Sequence, residues 1–517
     1  MPAIQPVLRG ARAVAALAAC GAVAACGGGG GGAGGTDTSP YIDSNHYSMA
    51  AGDSLSTPNE TTSVTHHTLT LGGSAIAYTA TAGHLSALDS TRAAEASIFY
   101  VAYTADASPP ATRPVTFFFN GGPGSATVWL HLGSFAPKRL VTGVPATTQT
   151  LPFPYVDNTE SLIDTSDLVF VDAVGTGLSE AIAPHTNQTY WGVDADAAVL
   201  RDFVTRWLAV NGRAASPLFL YGESYGTVRV PVLARLLETA GTRVNGVVEQ
   251  SSVLNYNSNC SIQTPPPSIN CAGFLPSYAA VGSYYQLATA AGPDLDSYLA
   301  VVSSYADATY APDAATWLAN GTLPAADHVA ALVAFTGLPT AIWDRQFDVD
   351  YDTFRHNLIA ATTLGVYDGR MSAPVGSALD AADDPSNTFV EPGFQAAIQA
   401  VLPDELGYTN PSTYVITSNA IDTWNFSHGG RSLPDVVPDL SAALSLDPAL
   451  KILSLGGQHD LITPFHQTEL DFARLASGAP VTAHFHPGGH MTYLDDGTRP
   501  LLKAELAAFY AAATGDQ

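Results

Sequence analysis

The stretch Leu218 to Gly226, Leu-Phe-Leu-Tyr-Gly-Glu-Ser-Tyr-Gly, limits the fold of this chain more than any other. Its first four residues are a compact apolar and aromatic run of the kind that forms a buried strand, and Thr227 to Thr239 continue at helical spacing. Between them, Gly222-Glu223-Ser224-Tyr225-Gly226 fits G-x-S-x-G. A serine held on a sharp strand-to-helix turn sits on strained backbone, and side chains two positions either side of it would collide with the neighbouring strand and helix. Strand, turn and helix in this order therefore place Ser224 at the carboxyl edge of a sheet, over the start of a helix.

A serine hydroxyl at its own pKa is a poor nucleophile and needs a base, itself oriented by a third group. In a sheet of this kind the acid and then the base follow the serine in the chain, each in a loop at a strand's carboxyl end. Lys451 to Leu455 runs into Gly456-Gly457-Gln458-His459-Asp460, which offers Asp460 as the acid. Val481 to His486 runs into Pro487-Gly488-Gly489-His490, which offers His490 as the base. His484 and His486 read as strand residues on one face, not as metal ligands. Upstream, the strand-like Val115 to Phe119 ends in Asn120-Gly121-Gly122-Pro123-Gly124-Ser125, where uncovered backbone N–H groups suit a developing anion.

Strand-like runs at Leu168 to Asp172, Leu218 to Tyr221 and Val244 to Val248 alternate with helical spacing at Asp194 to Val210 and Thr227 to Thr239. That alternation predicts a doubly wound, mostly parallel α/β sheet. Alternating residues in His67 to Tyr78 and Ser97 to Thr104 predict antiparallel strands at one edge. From about Ser251 to about Tyr408 the chain is alanine-rich and broken by prolines, which predicts a largely helical cap inserted into the sheet domain. The alternation resumes at Tyr414 to Thr417 and closes with a helix from Pro500 to about Ala513. The expected core is thus residues 64–250 and 409–517, with residues 251–408 as the cap.

Arg9 and Arg12 followed by the short apolar run Ala13 to Ala25 read as an export signal rather than a membrane-spanning helix. Both Leu17-Ala18-Ala19-Cys20 and Val23-Ala24-Ala25-Cys26 look like lipoprotein processing sites. Cys26 gives the longer apolar run, so residues 1–26 are expected to be signal and anchor cysteine, with a Gly-, Ser- and Thr-rich tether over residues 27–63. The chain would then be periplasmic or anchored at the outer membrane, touching lipid only through Cys26. Cys260 and Cys271, outside any C-x-x-C frame, are expected to form a disulfide in an exported protein. A net charge of −26 with only 20 lysines and arginines argues against nucleic acid as a partner.

Five blocks together, Asn120 to Gly124, Val171 to Ser179, Gly222 to Gly226, Asp460 to Pro464 and Gly489 to Met491, resemble the signatures of the serine carboxypeptidase family, the S10 peptidases. The resemblance implies an α/β-hydrolase fold with a Ser224, Asp460 and His490 triad, an acyl-enzyme intermediate, and neither cofactor nor metal. It also implies an oxyanion hole made by the backbone N–H groups of Gly122 and Tyr225, and recognition of the peptide's terminal carboxylate by Asn120 and a protonated Glu223. Phe119 stands where a tryptophan is common, Ser125 where a cysteine is common, and Thr227 where a small residue is common; the several disulfides of eukaryotic members are missing. An esterase or acyltransferase would use the same triad, and a surface-anchored binding protein would be expected to have lost one of its members. Tyr284, Tyr285 and Trp343 of the cap are candidates for lining the substrate pockets.

Overall fold

The computed structural model describes residues 38–107, 112–260, 262 and 270–515. Its central sheet contains β1 (Thr62–Leu71), β2 (Ser74–Leu88), β3 (Ala94–Ala105), β4 (Val115–Phe119), β5 (Asp167–Val171), β6 (Leu218–Glu223), β7 (Gly246–Gln250), β8 (Lys451–Gly457) and β9 (Val481–His486). A two-residue strand, Glu180–Ala181, pairs with β3. The spatial order is β9-β8-β7-β6-β4-β5-β3-β2-β1. Every pair from β9 to β5 is parallel, and β3, β2 and β1 extend the other side as antiparallel ribbons.

The parallel strands are apolar because both sheet faces are covered: all five residues of β4 and all six of β6 are buried. One face carries α2 (Val193–Val210) and α3 (Gly226–Thr239), which bring Phe203, Trp207, Val228 and Val232 onto the strands. The other carries α1 (Val128–Gly133), α4 (Pro385–Asp404) and α5 (Arg499–Thr514), with Trp129, Phe394, Leu506 and Phe509 inward. β9 is the outermost strand and is half-exposed, which explains the polar pair His484 and His486 near Glu505. The order of strands reverses between β4 and β6, and crevices at such a switch point are where ligands bind in α/β sheets. Ser224 follows β6 directly.

The insertion has its own core, in which Tyr278, Val302, Tyr310, Leu332, Trp343 and Phe354 are buried. Leu461 and Phe465, from the loop and helix after β8, belong to the same cluster, so cap and catalytic loop share one interior. Cys260 and Cys271 are joined in a disulfide.

The structure departs from the sequence reading at four places. Residues 38–63, expected as part of a tether, are fastened to the fold at points: Tyr41–Ile42 pairs in parallel with Tyr408–Thr409, and Asp43 is fully buried, accepting 2.7 Å hydrogen bonds from the hydroxyls of Tyr47 and Tyr408. Polar composition misled here because these polar groups satisfy one another. The cap ends earlier than residue 408, since α4 packs into the main core rather than the cap cluster. His67 to Tyr78 is not one strand: Gly72 and Gly73, both at positive φ, turn the chain between β1 and β2. Tyr414 to Thr417 does not join the sheet either. Val415 bridges Gly177 and Thr417 bridges Ser125, so this segment lies over the two glycine loops. Cys20, Cys26 and residues 27–37 lie outside the described residues, as does Pro265-Pro266-Pro267.

Candidate active site

The turn after β6 is as tight as its two glycines require. A Cβ at Gly222 would lie 2.3 Å from the carbonyl oxygen of Gly226, and one at Gly226 would lie 2.4 Å from that of Phe119. Ser224 itself takes φ +59°, a conformation costly for a non-glycine residue and typical of functional turns. Its N–H donates to Gln250 O at 3.0 Å, and its carbonyl accepts from Thr227 Oγ1 at 2.6 Å. Thr227 also accepts from the N–H of Val253 at 2.9 Å, so this departure from a small residue fastens the turn to the segment after β7. The hydroxyl-bearing Ser224 is half-buried at the tip.

The loop after β4 presses directly on this turn. A Cβ at Gly121 would sit 2.5 Å from the nitrogen of Tyr225 and 2.8 Å from Ser224 Cβ. Among the described residues, the N–H groups of Gly122 and Tyr225 donate to no protein acceptor. Two unspent donors beside a serine are the chemical requirement of an oxyanion hole.

Asp460 and His490 meet as expected. His490 Nδ1 lies 2.8 Å from Asp460 Oδ2, and Asp460 is fully buried. The N–H groups of Ile462 and Thr463 donate to Asp460 Oδ1 at 2.9 and 3.0 Å, and Thr463 Oγ1 donates to Oδ2 at 2.7 Å. A carboxylate so held accepts from Nδ1–H and leaves Nε2 as the proton acceptor. Burial pulls the imidazole pKa down, but the Asp460 charge and hydrogen bond, helped by Glu223, raise it above its ordinary value. Among the described residues no hydrogen bond joins Ser224 to His490. Both are tied instead to neighbouring residues of one segment: Ser224 N–H to Gln250 O, and Ser251 Oγ to His490 O at 2.6 Å. In ligand-free sites this last contact commonly tightens only when substrate arrives.

The cap holds both catalytic loops through residues 366–370. Val366 O accepts from the N–H of Leu461 at 3.2 Å, Tyr367 O from that of His490 at 2.5 Å, and Gly369 N–H donates to His459 O at 3.0 Å. Arg370 then bridges Asp368 and Asp495. Tyr367, half-buried with its ring 5.2 Å from the imidazole, is a site residue that carries no motif in the sequence. Of the expected pocket residues, Trp343 is fully buried inside the cap and Tyr285 is engaged with Arg370 O. Tyr284 is exposed, with its ring 6.0 Å from that of His459.

Asn120 and Glu223 are both buried, at 3% exposure. Asn120 Oδ1 accepts from Leu130 N–H at 3.0 Å, which leaves its amide hydrogens to donate. Among the described residues Glu223 Oε2 has no hydrogen-bond partner. Burial pushes the Glu223 carboxyl up to about 7, with Asp460 adding to the rise and His490, Tyr493 and Asn120 opposing it. Arg229 lies beneath, donating to Asp196 and to the carbonyl of Asn120. On the cap, Asp352, His356 and Asp383 cluster at metal-ligand spacing, but Arg355 donates to both carboxylates.

Residues 74–258 match the family model described as serine carboxypeptidase. Serine carboxypeptidase-like 41 and 44 of Arabidopsis thaliana are 29% and 30% identical over 155 and 149 residues, 29% and 27% of this chain. The matches span 30% and 28% of those relatives, under a third of their length. A solved structure of a prohormone-processing carboxypeptidase from Saccharomyces cerevisiae superimposes with a TM-score of 0.48 at 14% identity, covering 82% of this chain and 90% of that one.

Proposed function

From a chain that belongs to the serine carboxypeptidase family, with the match running over residues 74–258, we propose a serine-type carboxypeptidase that frees C-terminal residues from peptides through an acyl-enzyme. The observation that carries this reading is the 2.8 Å contact of His490 with the buried Asp460, in loops that converge on the strained turn of Ser224. Ser224 attacks the scissile carbonyl as His490 Nε2 takes its proton. The N–H groups of Gly122 and Tyr225 receive the oxyanion, and His490 returns the proton to the departing amine. Water then repeats the sequence to release the acyl group.

The terminal carboxylate is taken by the Asn120 amide and by Glu223 in its protonated form. Glu223 and His490 face each other's charge and titrate as a pair. The productive state keeps one proton on Glu223 and none on His490 Nε2, and an arriving carboxylate favours it by disfavouring a second anion. Peptide cleavage is accordingly expected to fall toward acid pH as His490, its pKa raised, takes up a second proton, and to fall on the alkaline side as Glu223 loses its proton near pH 7. Glu223→Gln, which cannot ionise, should flatten the alkaline fall.

The test follows amino acids freed with time from N-blocked peptides, each with a free carboxylate or a C-terminal amide, alongside a simple ester. Release from the free acids only is the expected result. Equal turnover of acid and amide, or hydrolysis of the ester alone, would make the chain an esterase or acyltransferase. The signal-like residues 1–26 and Cys26 support export and anchoring by lipid to a bacterial envelope, and no helix among the described residues is long and apolar enough to cross a membrane. Labelled palmitate carried by the wild type but not by Cys26→Ala would bear this out.

A further inference from the structure

His490 is fixed at its backbone and along one ring edge. Its Nδ1 faces Asp460 Oδ2 at 2.8 Å and Thr463 Oγ1 at 3.0 Å. Its N–H donates to Tyr367 O at 2.5 Å, and its carbonyl accepts from Ser251 Oγ at 2.6 Å. Against the imidazole lies the ring of Tyr367, with centroids 5.2 Å apart and planes inclined at 57°. Among the described residues no other aromatic ring lies against His490. His490 is 3% exposed whereas Tyr367 is half-buried, so the phenol ring stands between the base and solvent. The tyrosine is itself anchored: its N–H donates to Ser386 Oγ at 3.2 Å and that of Val366 to Asp384 Oδ1 at 3.0 Å, both at the start of α4. A Cβ at Gly489 would lie 2.3 Å from Tyr367 O, so the two loops touch along their backbones. Among the described residues the Tyr367 hydroxyl makes no hydrogen bond, which leaves the ring as what this side chain brings to the site.

We propose that Tyr367 is a positioning residue for the base: its ring seals the imidazole from water and confines it between Asp460 and the turn of Ser224. This rests on the triad of the proposed function, and it holds for peptide and ester alike. A general base must lie within hydrogen-bond reach of the proton it takes, and a misplacement of about 1 Å costs about a hundredfold. Among the described residues no hydrogen bond from Ser224 fixes the imidazole, so the Tyr367 face is what limits its swing on that side. Sealing also disfavours the imidazolium, because burial strips its hydration. The charged groups facing it are Asp460 from the loop after β8 and Glu223 from the end of β6, both favouring the imidazolium. Tyr367 stays neutral, its own pKa raised by burial. Asp460 is fully buried and keeps its contact when the ring is removed. Water admitted there therefore raises the imidazole pKa further.

Tyr367→Ala removes the ring and keeps the backbone hydrogen bonds. The acid limb of kcat/KM should move to higher pH by about one unit for free-acid peptides and for a simple ester, since the base must be neutral for both. The plateau kcat should fall about ten- to a hundredfold. Tyr367→Phe, which keeps the ring without its hydroxyl, should hold the limb at its wild-type position. The imidazole is also read directly, by NMR titration of His490 in Ser224→Ala, its signal assigned by loss in His490→Gln. Adding Tyr367→Ala should displace that titration upward by the same amount, and adding Tyr367→Phe should not. Tyr367→Leu, bulky but not flat, is read in the same way if the alanine variant fails to fold. A titration that stays in place without the ring overturns the inference even if kcat falls, because a loosened fold lowers the plateau without moving the base. A displaced titration together with a wild type that cleaves the ester and frees no terminal residue overturns the carboxypeptidase reading and upholds this inference.

Discussion

Replacing Ser224 by alanine should lower kcat about a million-fold, and replacing Asp460 by asparagine about ten-thousand-fold, on ester and peptide alike. The two losses differ because the groups do different work. Without the hydroxyl there is no acyl-enzyme, and what remains is the catalysis supplied by binding and by the N–H groups of Gly122 and Tyr225. Asparagine at 460 keeps the shape but not the acceptor count. Asp460 accepts from two backbone N–H groups on one oxygen and from Thr463 Oγ1 and His490 Nδ1 on the other. The backbone donors fix the amide oxygen on their side, so the amide nitrogen must face His490. That favours the tautomer with its proton on Nε2, which cannot accept one from Ser224. Because the three residues act as a unit, the double variant should be no slower than Ser224→Ala. Steady-state kinetics on the three variants, with thermal melts to confirm folding, decide this. An Asp460→Asn enzyme within tenfold of wild type would remove Asp460 from the mechanism.

The parts legible in the sequence are those where local pattern and global fold demand the same residues. β4, β6, β8 and β9 are apolar runs or alternations that end in glycine loops, so both their type and their carboxyl ends could be read, and Asn120, Ser224, Asp460 and His490 follow from those ends. What could not be read depends on partners distant in the chain. Asp43 looks like a tether residue until Tyr408 is brought to it, and Val415 looks like a strand residue until it is seen to form an isolated bridge with Gly177. Tyr367 and Tyr493 have no spacing signal because their contacts come from the cap and from the chain just past the imidazole. Arg229 did carry a signal: an arginine among the apolar residues of a buried helix has to be paired, and Asp196 on the preceding helix is where the pairing falls.

That pair has the largest expected effect on stability. Arg229 and Asp196 are each 2% exposed, joined Nε to Oδ2 at 2.6 Å, and the guanidinium also holds the Asn120 carbonyl and lies 5.3 Å from the Tyr225 ring centroid. Arg229→Met leaves a carboxylate buried without its partner, which should cost about 3–5 kcal/mol. The cost has a pH dependence of definite sign. Burial already raises the Asp196 pKa, with Arg229 opposing it, so removing the arginine raises it further. A carboxyl whose folded pKa is raised retains its full contribution below its unfolded pKa, near 4, and loses it progressively as pH climbs to the folded value. The variant's deficit should therefore be smallest at about pH 4.5 and grow toward pH 8, measured by denaturant unfolding at both. Asp196→Leu in the same background removes the stranded charge and should restore most of the loss, because an apolar pair can replace a buried ion pair at little cost. Peptide turnover should not recover with it: the Asn120 carbonyl would still lack its donor, and the loop carrying Gly122 would still be loose against the serine turn. A single variant that loses less than about 1 kcal/mol at pH 8 would show that the loop is held by its glycine packing alone.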